Sequence, residues 1–151
     1  MLCRYLGKER FMQKLGFCGD DCSVCPRFFA TQSGDVEQLK KVAALWFRVG
    51  YRDRIVPPEE LSCPGCFLRT KCDRMYVRMC AVVKGVENCG KCESYPCGNV
   101  AKAFEQTASF AEKIRQKCSK EEYRQLEKAF FEKKKNLDKV NKKWLSHMKR
   151  S

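Results

Sequence analysis

Two stretches of closely spaced cysteines constrain the fold of this chain more than any other feature of its sequence. Together they hold ten of its twelve cysteines and leave out only Cys3 and Cys118. In the first stretch, G-F-C-G-D-D-C-S-V-C-P, three cysteines follow a CxxxCxxC spacing. The second contains two CxxC pairs, C-P-G-C at residues 63–66 and C-G-K-C at residues 89–92. Because one tight turn of this kind can supply two ligands, the pattern predicts metal binding.

The available side chains narrow the choice of metal. The chain has a single histidine, His147, close to its C-terminal end. Any metal held by the cysteine stretches is therefore held by sulfur, and all-thiolate sites select Zn²⁺ or iron–sulfur clusters. Two separated CxxC pairs are typical of a closed four-cysteine zinc site. The predicted ligands of this site are Cys63, Cys66, Cys89 and Cys92.

The first cysteine stretch predicts a second site. Its ligands would be Cys18, Cys22 and Cys25, with Cys80 or Cys97 as the fourth. Cys72 and the unused member of that pair stay unassigned. The alternative for CxxxCxxC is a [4Fe–4S] cluster in an electron-transfer or redox-sensing protein. The spacing also occurs in radical S-adenosylmethionine enzymes, but this chain is too short for their barrel and lacks its alternation of strands and helices. The predicted cofactors are one or two Zn²⁺ ions, with [4Fe–4S] as the alternative.

Between the cysteines, apolar residues recur at spacings of three and four, which is typical of a helix. One amphipathic helix is predicted from Asp35 to about Gly50, with Ser33 or Asp35 as its N-cap, and a shorter helix is predicted to end at Gly85. Pro26, in contrast, marks the end of the first cysteine stretch as a loop.

After residue 98 the cysteines nearly vanish and two helices are predicted. The first ends near Cys118, and the second opens with the capping box formed by Ser119 and Glu122. Lys133 interrupts the apolar stripe of the second helix. Trp144 lies on that stripe and is expected in the core.

The predicted fold class is therefore mainly α, with cysteine-rich, metal-stapled loops packed against amphipathic helices. A small α+β fold is the alternative. Residues 1–98 are predicted to form a cysteine-rich metal-binding region with one amphipathic helix. Residues 99–151 are predicted to form a helical hairpin packed on the same domain.

The N-terminal residues carry charges that break up any apolar run, so they do not resemble a signal peptide. No stretch reaches the roughly 20 apolar residues of a membrane-spanning helix. We expect a cytoplasmic protein that does not enter a membrane, and in that compartment thiols stay reduced and available for metal.

The net charge of +13 raises the question of an acidic partner. Basic residues recur on the last predicted helix: Lys133 to Lys135, Lys142, Lys143, Lys149 and Arg150. They form either a solvated helix face or a phosphate-binding face for nucleic acid. No phosphate loop, metalloprotease signature or cysteine–histidine pair is present. The sequence therefore favours a structural zinc protein with an unknown protein partner over an enzyme, and a nucleic-acid-binding zinc protein is a further alternative.

The order of the motifs resembles a known family. The matching elements run C-G-x-x-C-x-x-C-P, then P-x-E-L-x-C-P-G-C, then C-A-x-x-K-G-V-x-N-C-x-x-C-x-x-Y-P-C. They span roughly residues 16–115 and resemble an uncharacterised cysteine-rich family of bacteria and archaea, the DUF3795-type domain of unknown function. The resemblance implies that Cys80 and Cys97 are ligands in preference to Cys72, and it implies no activity. The complete set of predicted metal ligands is Cys18, Cys22, Cys25, Cys63, Cys66, Cys80, Cys89, Cys92 and Cys97.

Overall fold

The computed structural model describes residues 15–66 and 72–150, so parts of the predicted regions at 1–14, 67–71 and 151 lie outside the description. Within the described residues the fold is mainly α and contains no strand, only an isolated bridge between Leu15 and Asp21. The α-helices are α1 (Pro26–Ser33), α2 (Val36–Arg48), α3 (Pro58–Leu61), α4 (Met75–Lys84), α5 (Gly98–Ile114), α6 (Lys120–Leu126) and α7 (Lys133–Met148). Two 3-10 turns (Cys22–Val24 and Cys89–Lys91) and a π-helix (Glu127–Phe131) complete the elements. The mainly α prediction is confirmed.

The predicted helix ends are confirmed where local chemistry determines them. The Asp35 side chain accepts a hydrogen bond from the Gln38 amide at 2.9 Å and caps α2. Gly85 follows α4 with φ of 67°, a left-handed conformation that favours glycine. Ser119 and Glu122 form the predicted capping box at the start of α6. In each case the signal lies within four residues of the helix end.

Three details of the chain differ from the prediction. Pro26 does not end a loop but begins α1, since proline is favoured in the first helical turn and Gly34 then closes the helix with φ of 67°. α5 ends at Ile114, before the expected Cys118. The single helix expected after Ser119 is interrupted, because the π-helix separates α6 from α7.

The main apolar core lies between α2, α5, α6 and the π-helix. The buried residues Leu61, Ile114 and Leu126 pack there against the inward face of α2. Aromatic rings line one side of this core: Trp46, Tyr51, Phe110, Phe130 and Phe131. Trp144 is only partly buried, which differs from its predicted place in the core, because the last turns of α7 extend beyond their packing partners.

α7 joins both cysteine-rich regions to the C-terminal helices. Asn136 Nδ2 donates to the Gly19 carbonyl at 3.0 Å, and Asn141 Nδ2 donates to the Gly90 carbonyl at 2.9 Å. Leu137 lies between them, with none of its surface exposed. The division of the chain at residue 98 stays a prediction, and the contacts of α7 link the two sides of that division.

Among the described residues, no helix combines the length and apolarity needed to cross a membrane. The cytoplasmic location stays a prediction.

Candidate metal centres

Six cysteines surround one cavity of about 100 Å³. We call it the six-cysteine cavity, and its thiols belong to Cys18, Cys22, Cys25, Cys63, Cys66 and Cys72. They come from three separate parts of the chain. The cavity therefore exists only when the loop before α1, the segment after α3 and the residues before α4 come together.

Local geometry explains how the first cysteine stretch enters this cavity. The Asp21 side chain accepts hydrogen bonds from the Ser23 amide and hydroxyl, which holds the 3-10 turn that carries Cys22. Cys25 stands at the N-terminal cap of α1. The helix dipole there favours a negative charge on this sulfur.

The second stretch reaches the same cavity through its first CxxC pair. A Cβ added at Gly16 would lie 2.7 Å from Cys66 Sγ, so a larger residue at position 16 would displace this sulfur. Thr31 Oγ1 accepts a hydrogen bond from the Cys63 amide at 2.9 Å. Thr31 lies on α1, so that helix holds the C-P-G-C segment beside the first cysteine stretch.

Electrostatic contacts between the thiols confirm that they are close. A hydrogen bond between Cys22 and Cys66, together with burial, raises the pKa of Cys22. Burial raises the pKa of Cys25 to about 11, repulsion from Cys63 adds to the shift, and the amides at the start of α1 oppose it. Burial also raises the pKa of Cys18. The protein surroundings of these sulfurs thus favour the thiol over the thiolate.

The other four cysteines of the two stretches form a second group around Cys89, which packs against the same small apolar cluster as Cys18 of the cavity. Burial raises the pKa of Cys89 to about 12, and the neighbouring thiols of Cys97, Cys92 and Cys80 add to the shift in that order. Lys84 opposes the shift, and its Nζ lies 3.7 Å from Cys92 Sγ. We call this group the four-cysteine cluster.

Short elements position the four-cysteine cluster. Cys80 lies on α4 and Cys97 caps the start of α5. Between them, the Asn88 side chain accepts a hydrogen bond from the Gly90 amide at 2.9 Å and holds the 3-10 turn of the C-G-K-C pair. Gly90 faces α7 so closely that an added Cβ would lie 2.9 Å from the Leu137 carbonyl oxygen.

The structure therefore groups the cysteines differently from the predicted association of the two CxxC pairs. Cys63 and Cys66 join the first stretch, whereas Cys89 and Cys92 join Cys80 and Cys97. Cys72, which was left unassigned, lines the six-cysteine cavity. Cys118 belongs to neither group, and its Sγ donates to the Ile114 carbonyl at 3.4 Å.

The described part of the chain contains no group of three or more His, Cys, Asp or Glu side chains already arranged to hold a metal ion. Coordination would require the thiols of each group to turn toward a common point. The donor set itself suits the predicted metals, since four thiolates are the ligands of a structural zinc site or of an iron–sulfur cluster. Metal binding would displace the thiol protons, because the thiolate is the ligand.

Sequence reasoning did not place two basic residues, Lys133 and Arg74, at the cavity. Lys133 is 3 % exposed, pairs with Asp20 and donates to the Phe130 carbonyl at 2.8 Å. Arg74 Nη2 donates to Thr107 Oγ1 at 3.0 Å. The one available signal was Lys133 itself, a charged residue at an apolar position of the predicted helix.

The comparison with protein families gives one match to this chain. The matching family, described as a protein of unknown function (DUF3795), covers residues 14–102, which include both cysteine groups. Comparison with the curated proteins found no match, and comparison with the solved structures found none either. Because the family match covers more than half of the chain, the protein belongs to the DUF3795 family.

Proposed function

We propose that this protein is a cysteine-based metal-binding scaffold in which the four-cysteine cluster holds a structural Zn²⁺. The observation that supports this proposal is that ten cysteines lie in two spatial groups, one of which has four thiols. Four is the ligand number of a closed zinc site, which has no open position for catalysis. This supports a structural role rather than a catalytic one.

The surroundings of the four-cysteine cluster are suited to the charge of such a site. One Zn²⁺ bound by four thiolates carries a net charge of about −2. The ammonium of Lys84 beside Cys92 and the N-terminal end of α5 at Cys97 both offset negative charge. The 3-10 turn of the C-G-K-C pair, residues 89–92, is held at both ends by backbone and side-chain hydrogen bonds.

The six-cysteine cavity supports a second metal centre of less defined type. It has two thiols more than a zinc ion requires, and its volume of about 100 Å³ is larger than a single ion needs. Because a [4Fe–4S] cluster also takes four thiolates, it is the volume that favours a second candidate function, in which the cavity holds such a cluster and the protein transfers electrons or senses redox state. A second zinc with two free thiols is the other form of the proposal.

The metal would support an interaction surface on α4. This helix carries Cys80 of the four-cysteine cluster and turns Met79, Val82 and Val83 outward, with Val83 80 % exposed. Such side chains suit contact with a protein partner. The basic α7 favours nucleic acid less, because Lys134 pairs with Asp138 at 2.6 Å and Lys135 pairs with Glu132 at 3.4 Å.

Elemental analysis with a visible spectrum, on protein purified without oxygen, tests the proposal. We expect one zinc in the four-cysteine cluster, which Cys92→Ser removes and Cys118→Ser leaves in place as the matched control. Two zinc atoms in colourless protein would assign zinc to both groups. Iron, acid-labile sulfide and a broad visible absorption that Cys25→Ser abolishes would assign the cluster to the cavity.

Protein without bound metal and with all thiols freely titratable would contradict both forms of the proposal. Metal content that Cys92→Ser and Cys118→Ser leave equally unchanged would contradict the assignment of zinc to the four-cysteine cluster.

A further inference from the structure

The six-cysteine cavity has a second wall that metal binding does not explain. Aromatic side chains line it, including Trp46, Tyr51 and Phe130. Tyr51 stacks on Phe110 with ring centroids 4.3 Å apart and contacts Trp46 at 5.2 Å. A cavity that combines apolar rings with a few polar groups is typical of a small-molecule site.

Arg74 brings an unsatisfied donor to this cavity. One arm of its guanidinium donates to Thr107, but Nε is buried and has no acceptor among the described residues. A buried donor without an acceptor is unfavourable, and native structures rarely retain one without a role. The other three cations of the lining are better matched. Lys133 pairs with Asp20, Arg52 lies 3.9 Å from an Asp73 oxygen, and Arg27 donates to the Leu61 carbonyl. Arg74 therefore offers both charge and a donor to an anion.

Tyr51 offers a second donor. Its phenol lines the same cavity as Arg74, and a phenol hydroxyl can donate a hydrogen bond. The two donors therefore line one cavity.

The π-helix shapes the same wall. Its last residues, Phe130 and Phe131, line the cavity, and Lys133 follows after one intervening residue, Glu132. π-helices account for well under 1 % of residues in proteins and are frequent at functional sites. This feature of the backbone supports a functional role for the cavity.

We propose that the six-cysteine cavity binds a small carboxylate anion through Arg74 Nε and the Tyr51 hydroxyl, with the apolar part of the ligand against the aromatic wall. A water occupies about 30 Å³ in the liquid, so the cavity has room for about three groups of that size. An acetate ion fits within the total volume of three such groups. The proposal goes beyond metal binding, and it requires that the thiols of the cavity hold at most a zinc ion, because a [4Fe–4S] cluster would occupy the same space.

Trp46 provides the reporter for a test. The chain has two tryptophans, so Trp144→Phe in the full-length protein leaves the cavity residue as the only one. Sodium acetate is titrated at constant ionic strength, maintained with the salt of a sulfonate too bulky for the cavity. We expect a saturable change in Trp46 fluorescence.

Variants then identify the donors. Arg74→Gln should weaken acetate binding by about tenfold or more, since a charged hydrogen-bond donor is lost. Tyr51→Phe keeps the ring stacking and should weaken it less. Arg124→Gln, an exposed cation away from the cavity, should leave it unchanged. Circular dichroism checks the fold of each variant, and Tyr51→Phe keeps the test decisive if Arg74→Gln does not fold.

A fluorescence signal that does not saturate with acetate would overturn the proposal. Saturation that Arg74→Gln and Tyr51→Phe leave unchanged would also overturn it, because the acetate would then be an adventitious ligand only. Metal content is measured on the same samples. Protein that holds metal but binds no acetate would contradict this inference and leave the proposed function intact. Protein that binds acetate but holds no metal would contradict only the proposed function.

Discussion

The four-cysteine cluster and the six-cysteine cavity place the same side chain in two different settings. The cluster comes from residues 80–97, and its thiols are partly exposed. The cavity gathers thiols from three segments and leaves Cys18, Cys25 and Cys63 only 6 %, 7 % and 7 % exposed. Local turns bring the cluster together, whereas tertiary packing of α1 and the π-helix builds the cavity. We therefore expect the two sites to differ in access to solvent and in coupling to the rest of the fold.

Metal release should separate the two sites most strongly. A chelator in excess should remove metal from the partly exposed cluster first, because release from the buried cavity requires local opening of the helices around it. We expect the two rates to differ by at least about tenfold, which corresponds to about 1.4 kcal/mol of opening free energy. The measurement is release into a chromogenic chelator. Cys92→Ser should remove the fast phase and Cys25→Ser the slow phase; a single phase affected equally by both would show that the sites are not independent.

The buried cation of the cavity should contribute more to stability than its neighbour on the surface. Lys133→Met leaves the part-buried Asp20 carboxylate without its partner. Breaking a buried pair in this way lowers the free energy of unfolding by about 3–5 kcal/mol. Lys134→Met removes the exposed pair with Asp138 and should cost about 0–1 kcal/mol. Urea unfolding compares the two, and equal losses would show that the Lys133–Asp20 pair acts like a surface pair.

The contact of the first cysteine stretch with α7 depends on a glycine. Gly19 has φ of 96°, and an added Cβ would lie 2.6 Å from the Lys133 carbonyl oxygen. Gly19→Ala should cost about 1–2 kcal/mol for the left-handed backbone and about 1–3 kcal/mol more for overpacking. Gly34 has φ of 67° but no atom within 4 Å of an added Cβ, so Gly34→Ala should show the backbone cost alone. Denaturant unfolding measures both; similar losses would exclude steric contact with α7 as the cause.

The capping box of α6 belongs to neither site, so a substitution there serves as a reference for the other variants. We expect it to change the stability of the fold least. The Ser119 amide and, next, the Arg48 guanidinium hold the pKa of Glu122 below its ordinary value. A carboxyl whose pKa is lowered in the folded state adds stability above its unfolded pKa, and this contribution is lost as pH falls through the folded pKa. Glu122→Gln should therefore lower the melting temperature slightly at neutral pH.

The difference between wild type and Glu122→Gln should shrink as pH falls from about 4.3, the ordinary value for glutamate, through the lower folded pKa. Melting curves with and without metal should show the same difference. A difference that persists unchanged below this range would mean that the charge of Glu122 is not its cause.

Much of the secondary structure was predictable because its signals are local. Asp35, Gly85 and the Ser119–Glu122 box act within one helical turn, and each marks a helix end as predicted. α1 was missed although Pro26 carried a usable signal, since proline in the first turn and glycine after the last are a helix pattern. The π-helix lies just before the point where Lys133 interrupts the apolar stripe, but the apolar spacing does not reveal a change of helix type, which depends on tertiary packing.

By itself, the sequence determined a mainly α chain with two stretches of closely spaced cysteines. Metal binding by their thiolates stays a prediction. Only the tertiary structure decided which thiols meet. CxxC spacing brings two sulfurs together through a short turn, but it contains no information about the partner of that turn. The packing of α1 against the C-P-G-C segment, and of α7 against both Gly19 and Gly90, settled that association. The same packing placed Arg74, Tyr51 and the buried Lys133 around one cavity, although they are distant in sequence.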